Sequence, residues 1–342
     1  MKKRIMTLVL AALMLTGCSM PRENGETIYE VTYLTLFDTV TVIKGRAESA
    51  EAFTELSRNI CNELEYYHRL FDIYHDYEDL HNLKTVNDMA GIAPVAVDDA
   101  IIDLLTDCRS YYELTDGKVN VAMGSVLQLW HEARNYGLDH PDEATLPDME
   151  ALKAAAKHWD FDAVIIDEAA STVYISDPQL RLDVGAIAKG WATQRVAEKV
   201  PEGMLFSIGG NVCATGPKTE SGTPWVIGIR NPAGSADDYL HTLNVTDGSY
   251  VTSGDYQRSF EADGKMYHHI IDPETLMPSE YWSSVTVICD DSGLADALST
   301  ALFLMNRADG QALLDSCAAV AMWVDRDGIC YYSPGFAENI RS

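Results

Sequence analysis

The chain has 342 residues, 47% hydrophobic and 23% charged, which suits one large or two ordinary globular domains and excludes a disordered polymer. Its 52 acidic residues outnumber 25 Lys and Arg, for a formal net charge of −27. That balance argues against nucleic acid as a partner, since phosphate backbones demand basic surface, and it says little about fold.

Met1-Lys2-Lys3-Arg4 is a short basic start, Ile5 to Leu15 is mostly apolar, and Leu15-Thr16-Gly17-Cys18 matches the bacterial lipoprotein cleavage box. The apolar run has signal-peptide proportions and is too short to span a bilayer. The expectation is a signal peptide over 1–17, cleavage before Cys18 and lipid on its sulfur. A tether over 18–27 would then hold the protein outside the cytoplasm on a membrane. A plainly secreted or otherwise membrane-anchored form has the same composition. The remaining cysteines, Cys61, Cys108, Cys213, Cys289, Cys317 and Cys330, form no C-x-x-C pair. This points away from a zinc site, and no catalytic cysteine is expected. An oxidising compartment would permit disulfides.

Ile28 to Ile43 reads as paired strands about Leu36-Phe37-Asp38-Thr39-Val40, and Glu48 to Leu70 as a long amphipathic helix. Asp72 to Gly91 is polar and irregular, with Tyr74, Tyr77 and Asn87 in it. Asp98 to Leu114 is a second helix, stopped at Thr115-Asp116-Gly117. Lys118-Val119-Asn120-Val121-Ala122-Met123-Gly124 leads into a helix through Leu127 and Trp130. A loop over Asn135 to Pro147 and a short helix over Met149 to His158 follow. Val164-Ile165-Ile166 and Thr172-Val173-Tyr174-Ile175 flank an acidic turn, a hairpin signal.

Leu182-Asp183-Val184-Gly185-Ala186-Ile187-Ala188-Lys189-Gly190-Trp191-Ala192 comes next. It reads as a strand-to-helix turn with a carboxylate before it and a lysine one turn in; Ile187, Trp191, Val196 and Val200 recur at roughly helical spacing. A helix start offers unpaired N–H groups and the positive end of a dipole, so with Lys189 it suits an anion, phosphate above all. An ordinary amphipathic helix with Lys189 in water has the same pattern. Leu205 to Ile208 is a strand running into Gly209-Gly210-Asn211, where backbone can approach a ligand closely. Trp225 to Ile229 is a strand, and Asp263-Gly264 is a hairpin turn. A strand over Val285 to Ile288, helices over Leu294 to Met305 and Gln311 to Ser316, and a hairpin about Asp327-Gly328 complete the chain. Meandering strands with interspersed helices argue for an α+β fold.

Asp296 and Thr300 lie four apart on one helix and share a face, offering hard oxygen suited to Mg²⁺, though threonine also bonds back to its own helix. His268 and His269 stand at a strand end, so neighbours point to opposite faces and only one faces a given site. Such a histidine is a candidate base toward a hydroxyl, or a solvent-facing residue beside a turn. No P-loop, dinucleotide-binding glycine fingerprint or serine nucleophile elbow is present.

Together these segments resemble the ApbE family, the bacterial FAD:protein FMN transferases, over most of the chain from about Leu36 to Phe303. The resemblance is carried, in order, by the stretch from Leu182 to Ala192, Ser207-Ile-Gly-Gly-Asn-Val, Thr252-Ser-Gly-Asp-Tyr, His268-His-Ile-Ile-Asp-Pro and Asp296-Ala-Leu-Ser-Thr-Ala. It implies a T-fold-like α+β fold with mixed, largely antiparallel sheets and packed helices over 28–342, as one domain or two subdomains. It implies FAD as substrate and Mg²⁺ on its pyrophosphate, held by Asp296, Thr300 and the backbone carbonyl of Ala186. Asp183 and Lys189 would contact FAD, with Phe37, Tyr74, Lys118, Val119, Asn120 and Ile270. His269, directly before Ile-Ile-Asp-Pro, would be the base. The implied partner is an exported flavoprotein bearing a motif like Asp-Gly-x-Thr/Ser-Gly-Ala-Thr/Ser, whose hydroxyl receives FMN as AMP leaves. FAD pyrophosphatase activity and a non-catalytic flavin-binding lipoprotein are the alternatives. The chain departs from the family pattern at two turns. Thr275-Leu276-Met277-Pro278 replaces Thr-Gly-x-Pro, which implies loss of a glycine conformation, and Phe37-Asp38-Thr39 stands where Met-Gly-Thr is common.

Overall fold

The computed structural model describes residues 27–341 apart from Thr35, Ala236 and Gln257. The expected signal peptide, Cys18 and all but the last residue of the expected tether lie outside the described residues.

The chain opens with an antiparallel pair, β1 (Ile28–Tyr33) and β2 (Thr41–Arg46), followed by α1 (Ala50–Phe71). Ser49 starts α1 by accepting the Ala52 N–H, and the helix buries Phe53, Ile60, Leu64, Tyr67 and Phe71 at helical spacing. α2 (Leu83–Asp88) lies in the stretch expected to be irregular. Asn82 and Thr85 form a capping box there, a signal carried by two short polar residues rather than by apolar periodicity. β3 (Val95–Ala96), α3 (Asp99–Leu114), α4 (Gly124–Asp139) and α5 (Met149–Ala155) follow. α4 continues through Asn135 to Asp139, where a loop was expected, with Gly137 packed closely on Phe260 and Ala144. β4 (Val164–Asp167) and β5 (Thr172–Ile175) form the expected hairpin, and β3 joins the other side of β5.

The segment before α6 (Ala188–Ala197) is extended but is not a strand of a sheet. One isolated bridge, Met123 to Arg181, ties it down. The buried Asn87 side chain also holds Leu182 from both sides, donating to its carbonyl at 3.0 Å and accepting its N–H at 2.7 Å. Val200 falls beyond α6, and Lys189 sits in its first turn rather than one turn in.

β6 (Met204–Ile208) and β7 (Asn211–Ala214) turn at Gly209 and Gly210, both at positive φ (52° and 95°), the two-glycine requirement of a mirror-image hairpin turn. A hairpin of β8 (Trp225–Arg230) and β9 (Tyr239–Val245) precedes β10 (Gly248–Gly254). β11 (Phe260–Ala262) and β12 (Lys265–Tyr267) turn at Asp263-Gly264 as expected. β13 (Ser284–Cys289), α7 (Ser292–Phe303), α8 (Arg307–Leu314), β14 (Val320–Val324) and β15 (Cys330–Tyr332) close the chain.

Eight strands form one antiparallel sheet in the order β1-β2-β6-β7-β10-β13-β14-β15. Neighbouring residues on its strands enter different cores, as the period of two requires. Phe206 and Val251 face α1, α6 and α7, whereas Leu205 and Tyr250 face the β8–β9 hairpin. Burial on both faces is why β14 reads as an unbroken apolar run and β6 as one broken only at Ser207. The architecture is the expected α+β. All six cysteines of the described residues are free thiols.

At the two turns where glycine is replaced, the conformation is kept. Leu276 adopts φ 60°, and Phe37 and Asp38 adopt 50° and 54°. The expected loss at Leu276 does not occur, because its N–H bonds the Asp272 carbonyl at 2.8 Å and its own carbonyl accepts the Trp130 indole N–H at 3.1 Å. Those bonds and a buried side chain oppose a left-handed strain of about 1–2 kcal/mol.

Candidate active site

A cavity of about 260 Å³ opens where α6, α7, the β6–β7 turn, the loop before α4 and the loop after β12 meet. Every site residue expected within the described chain lines it. Phe37 and Tyr74 come from the β1–β2 connection and the loop after α1. Lys118, Val119 and Asn120 come from the loop before α4, and Asp183, Ala186 and Lys189 from the turn into α6. His269 and Ile270 follow β12, and Asp296 and Thr300 project from α7.

Asp296 is the most deeply buried charged group among them, 4% exposed. Its Oδ2 accepts the Gly190 N–H at 2.9 Å and lies 3.6 Å from Lys189 Nζ. In a continuous helix that N–H would go to the carbonyl of Ala186, four residues back. Because α6 starts only at Ala188, that N–H is one of the unpaired donors of the first turn, and the Ala186 carbonyl accepts no hydrogen bond among the described residues. The approach needs glycine, since a Cβ at Gly190 would sit 2.2 Å from the Ser292 carbonyl oxygen and 2.6 Å from Asp296 Cβ. Burial raises the Asp296 pKa, against the opposing pull of Lys189, the Gly190 N–H and Asn211.

Thr300 lies one turn along α7, half-buried at the cavity wall. Ser299 bonds back to the Asp296 carbonyl at 3.0 Å; Thr300 makes no such bond among the described residues. Asn211, 1% exposed and lining the same cavity, bonds toward Asp296, while its Oδ1 is buried without a partner. Among the described residues no group of three His, Cys, Asp or Glu side chains is placed to hold a metal. A cation here would therefore rest on one carboxylate with hydroxyl, carbonyl and phosphate oxygens, the donor set of Mg²⁺ rather than of zinc. The available Ala186 carbonyl, the Thr300 hydroxyl and the orphaned Asn211 oxygen fit that set.

The Asp183 side chain accepts the Gly185 N–H at 2.9 Å, and its own N–H bonds the Val121 carbonyl at 2.8 Å, joining the α6 turn to the loop before α4. Lys118 bonds Glu274 at 2.6 Å and lies 3.5 Å from Asp272, so it ties that loop to the histidine-bearing one. Asn120 lines the cavity but spends its side chain on backbone, donating to Trp159 and accepting from Ala122.

The adjacent histidines, just beyond the end of β12, have different surroundings. His269 lines the cavity. His268 turns away, 6% exposed, with Nε2 2.8 Å from the Ser279 carbonyl and Nδ1 accepting the Ile270 N–H at 3.2 Å. Those partners make Nε2 the donor and Nδ1 the acceptor in a neutral ring, and burial lowers the pKa of His268.

Several cavity residues had not been singled out. Tyr74 Oη is 2.9 Å from His131 Nδ1, which is 3.9 Å from Asp183 Oδ2. Tyr74 is 59% exposed as a whole residue, and partial desolvation at the cavity, with Asp183 adding, raises the pKa of its phenol. Burial lowers His131, with Asp183 opposing and Arg134 and Arg258 assisting. Arg258 also lines the cavity. Asn211 lay within the Gly-Gly-Asn motif and was legible there; His131 and Arg258 had no local signal. Asn87 is a clamp on Leu182, outside the cavity lining.

Comparison with known proteins agrees with this geometry. The family model described as the ApbE family matches residues 26–323. A Treponema pallidum protein named FAD:protein FMN transferase is 35% identical over 277 residues, covering 76% of this chain and 75% of that one. A Klebsiella pneumoniae protein of the same name is 33% identical, covering 76% of this chain and 80% of its own. Among solved structures, the ApbE protein of Thermotoga maritima superposes with a TM-score of 0.82 at 29% identity, covering 92% of this chain and 100% of that chain. The flavin transferase ApbE of Vibrio cholerae gives 0.76 at 26%, covering 91% and 99%. With the family model spanning most of its length and its expected site residues gathered in one cavity, the chain belongs to the ApbE family.

Proposed function

We propose that this protein transfers FMN from FAD to a threonine or serine hydroxyl of an acceptor protein, releasing AMP. The observation that carries the reading is the convergence of Asp183, Ala186, Lys189, Asn211, His269, Asp296 and Thr300 on one cavity. It places an oxygen donor set, a lysine and a histidine within one enclosure.

Asp296, Thr300 and the Ala186 carbonyl would hold Mg²⁺, which when bound supplies charge neutralisation for the pyrophosphate. Lys189 and the N–H groups at the start of α6 stabilise negative charge growing on the phosphoryl oxygens. Tyr74 and Phe37 offer aromatic surface to the ring systems of FAD. His269 takes the proton as the acceptor oxygen forms its bond to the FMN-side phosphorus. The bond from that phosphorus to the bridging oxygen breaks, and AMP departs with the electron pair.

Among the described residues no helix is long and apolar enough to cross a membrane. The reading places the protein outside the cytoplasm, held by lipid on Cys18, where an exported flavoprotein bearing the Asp-Gly-x-Thr/Ser-type motif is its partner. The test is incubation with FAD, Mg²⁺ and a domain carrying that motif. A covalent FMN adduct on the domain, with AMP released, supports transfer. FMN and AMP without an adduct indicate hydrolysis, and FAD retained intact indicates a binding protein; either result contradicts the proposal.

A further inference from the structure

Tyr74 is an exposed loop residue, yet it is fixed at both ends. At its backbone, Asp72 Oδ1 accepts the Tyr74 N–H at 2.7 Å and the His75 N–H at 3.2 Å. Asp72 Oδ2 accepts the Tyr77 O–H at 2.7 Å and lies 2.9 Å from His75 Nδ1. One buried carboxylate thus gathers the turn after α1. At the far end of the ring, Tyr74 Oη lies 2.9 Å from His131 Nδ1. Either tautomer of a neutral imidazole makes that bond, accepting from the phenol or donating to it. His131 stands on α4, so the bond ties the loop after α1 to a helix remote in sequence. Asp72, Tyr74 and His131 all line the cavity.

A tyrosine this exposed gains little from burial and, unheld, turns among several rotamers. The two attachments hold it in one, so a ligand that packs on the ring does not bear the cost of ordering it. The neighbours say which part of a ligand that is. His131 Nδ1 is also 3.9 Å from Asp183 Oδ2, and Asp183 precedes Ala186 by three residues in the turn that leads to Lys189. The held ring therefore stands beside the turn given to the pyrophosphate. Asp183 and Asp38 act on the Tyr74 phenol, and so do Arg134 and Arg258 with the opposite sign. With both signs present, the surroundings of Tyr74 favour a neutral ring over a further anion.

We propose that His131 is a positioning residue for FAD: it holds the Tyr74 ring, whose backbone Asp72 already fixes, as a flat wall against one ring system of the dinucleotide. This rests on the reading of the cavity as the FAD site. The effect of His131 passes through the Tyr74 hydroxyl.

The experiment measures the Kd of FAD by equilibrium titration, and the Tm of the FAD-free protein, for wild type, His131→Leu, His131→Gln, Tyr74→Phe, Tyr74→Leu and the doubles of His131→Leu with each tyrosine change. His131→Leu and Tyr74→Phe should each raise Kd about three- to tenfold without a matching fall in Tm. Their double should match either single variant, because both remove one bond. His131→Gln keeps a hydrogen-bonding group and should recover part of the loss. Tyr74→Leu removes the ring and should weaken binding further, and adding His131→Leu to it should change nothing more. Additive losses, or a loss from His131→Leu that persists beside Tyr74→Leu, overturn the proposal, since the histidine then acts on FAD directly or through the fold at large. Should a His131 variant fail to fold, Tyr74→Phe decides: wild-type affinity there overturns the proposal and a raised Kd supports it. A wild-type protein that binds no FAD sinks the reading of the cavity itself, whereas additive losses from a wild type that binds FAD sink the positioning role alone.

Discussion

The Gly190 N–H, a first-turn donor with no partner within α6, donates to Asp296 Oδ2 at 2.9 Å across the α6–α7 contact, and Ala186, four residues back, lines the same cavity. One hydrogen bond thus fixes the Asp296 carboxylate against the turn that carries Ala186. It also explains the glycine: any Cβ there meets the Ser292 carbonyl and Asp296. Gly190→Ala is expected to destabilise the protein by about 1–3 kcal/mol through overpacking and to weaken metal-dependent turnover. Urea unfolding with a parallel Mg²⁺ titration checks this, and an unchanged midpoint with unchanged metal response contradicts it.

Asp296→Asn keeps an oxygen for the Gly190 N–H but removes the charge. Because burial raises the Asp296 pKa, its ionised form is disfavoured in the fold. The folded state then binds that proton more tightly than the unfolded chain, so this contribution is present at low pH and is lost as pH rises through the folded pKa. The variant is therefore expected to melt no lower than wild type without metal at neutral pH, while losing Mg²⁺-stimulated turnover. Differential scanning calorimetry and a metal-dependence assay give the two readouts. Full metal-dependent activity would remove Asp296 from the site.

His269 and His268 should separate cleanly. His269→Ala is expected to lower kcat about 10²- to 10⁴-fold with a smaller effect on FAD binding. Equal loss of both would make it a binding or structural residue. His268 is neutral and uses both ring nitrogens, so a proton on Nδ1 would displace the Ile270 N–H. Its folded pKa is lowered, so its contribution is present above the unfolded value near 6.5 and lost as pH falls through that value and below. His268→Gln should flatten the fall in Tm between about pH 7 and 5 relative to wild type. A parallel fall in both proteins would contradict that role.

Asn87→Ala removes both bonds that hold Leu182 and leaves its buried N–H and carbonyl without those partners. The expected cost is about 2–3 kcal/mol, with weaker FAD binding because Asp183 is the next residue. Denaturant unfolding and a flavin-binding titration test it; a stable variant with normal FAD affinity refutes the clamp.

The parts of this protein legible in sequence are those written in local pattern. The hairpin at Asp263-Gly264 announces itself because only certain residues tolerate its φ angles, whereas Gly209-Gly210, read as a point of close ligand approach, proves also to be a hairpin turn. Asp296 and Thr300 are readable because a helix places residues four apart on one face. The Leu182 segment misled because an extended apolar run resembles a strand, whereas its backbone bonds go to the Asn87 side chain and to loop residues far away in sequence. His131 and Arg258 matter only through the cavity they share, and 126 intervening residues carry no trace of that meeting. Leu276 holds a conformation suited to glycine, which its tertiary hydrogen bonds and burial allow and local preference does not, while exposed Asp38 is a residue type that tolerates the left-handed region.

The most direct test of the central claim is intact-mass spectrometry of an acceptor domain after incubation with this protein, FAD and Mg²⁺, with AMP quantified alongside. The account predicts a gain equal to FMN less one water on the motif's hydroxyl residue, one AMP for each adduct, and neither when Mg²⁺ is chelated. An unmodified acceptor in the presence of bound, intact FAD and Mg²⁺ would contradict it.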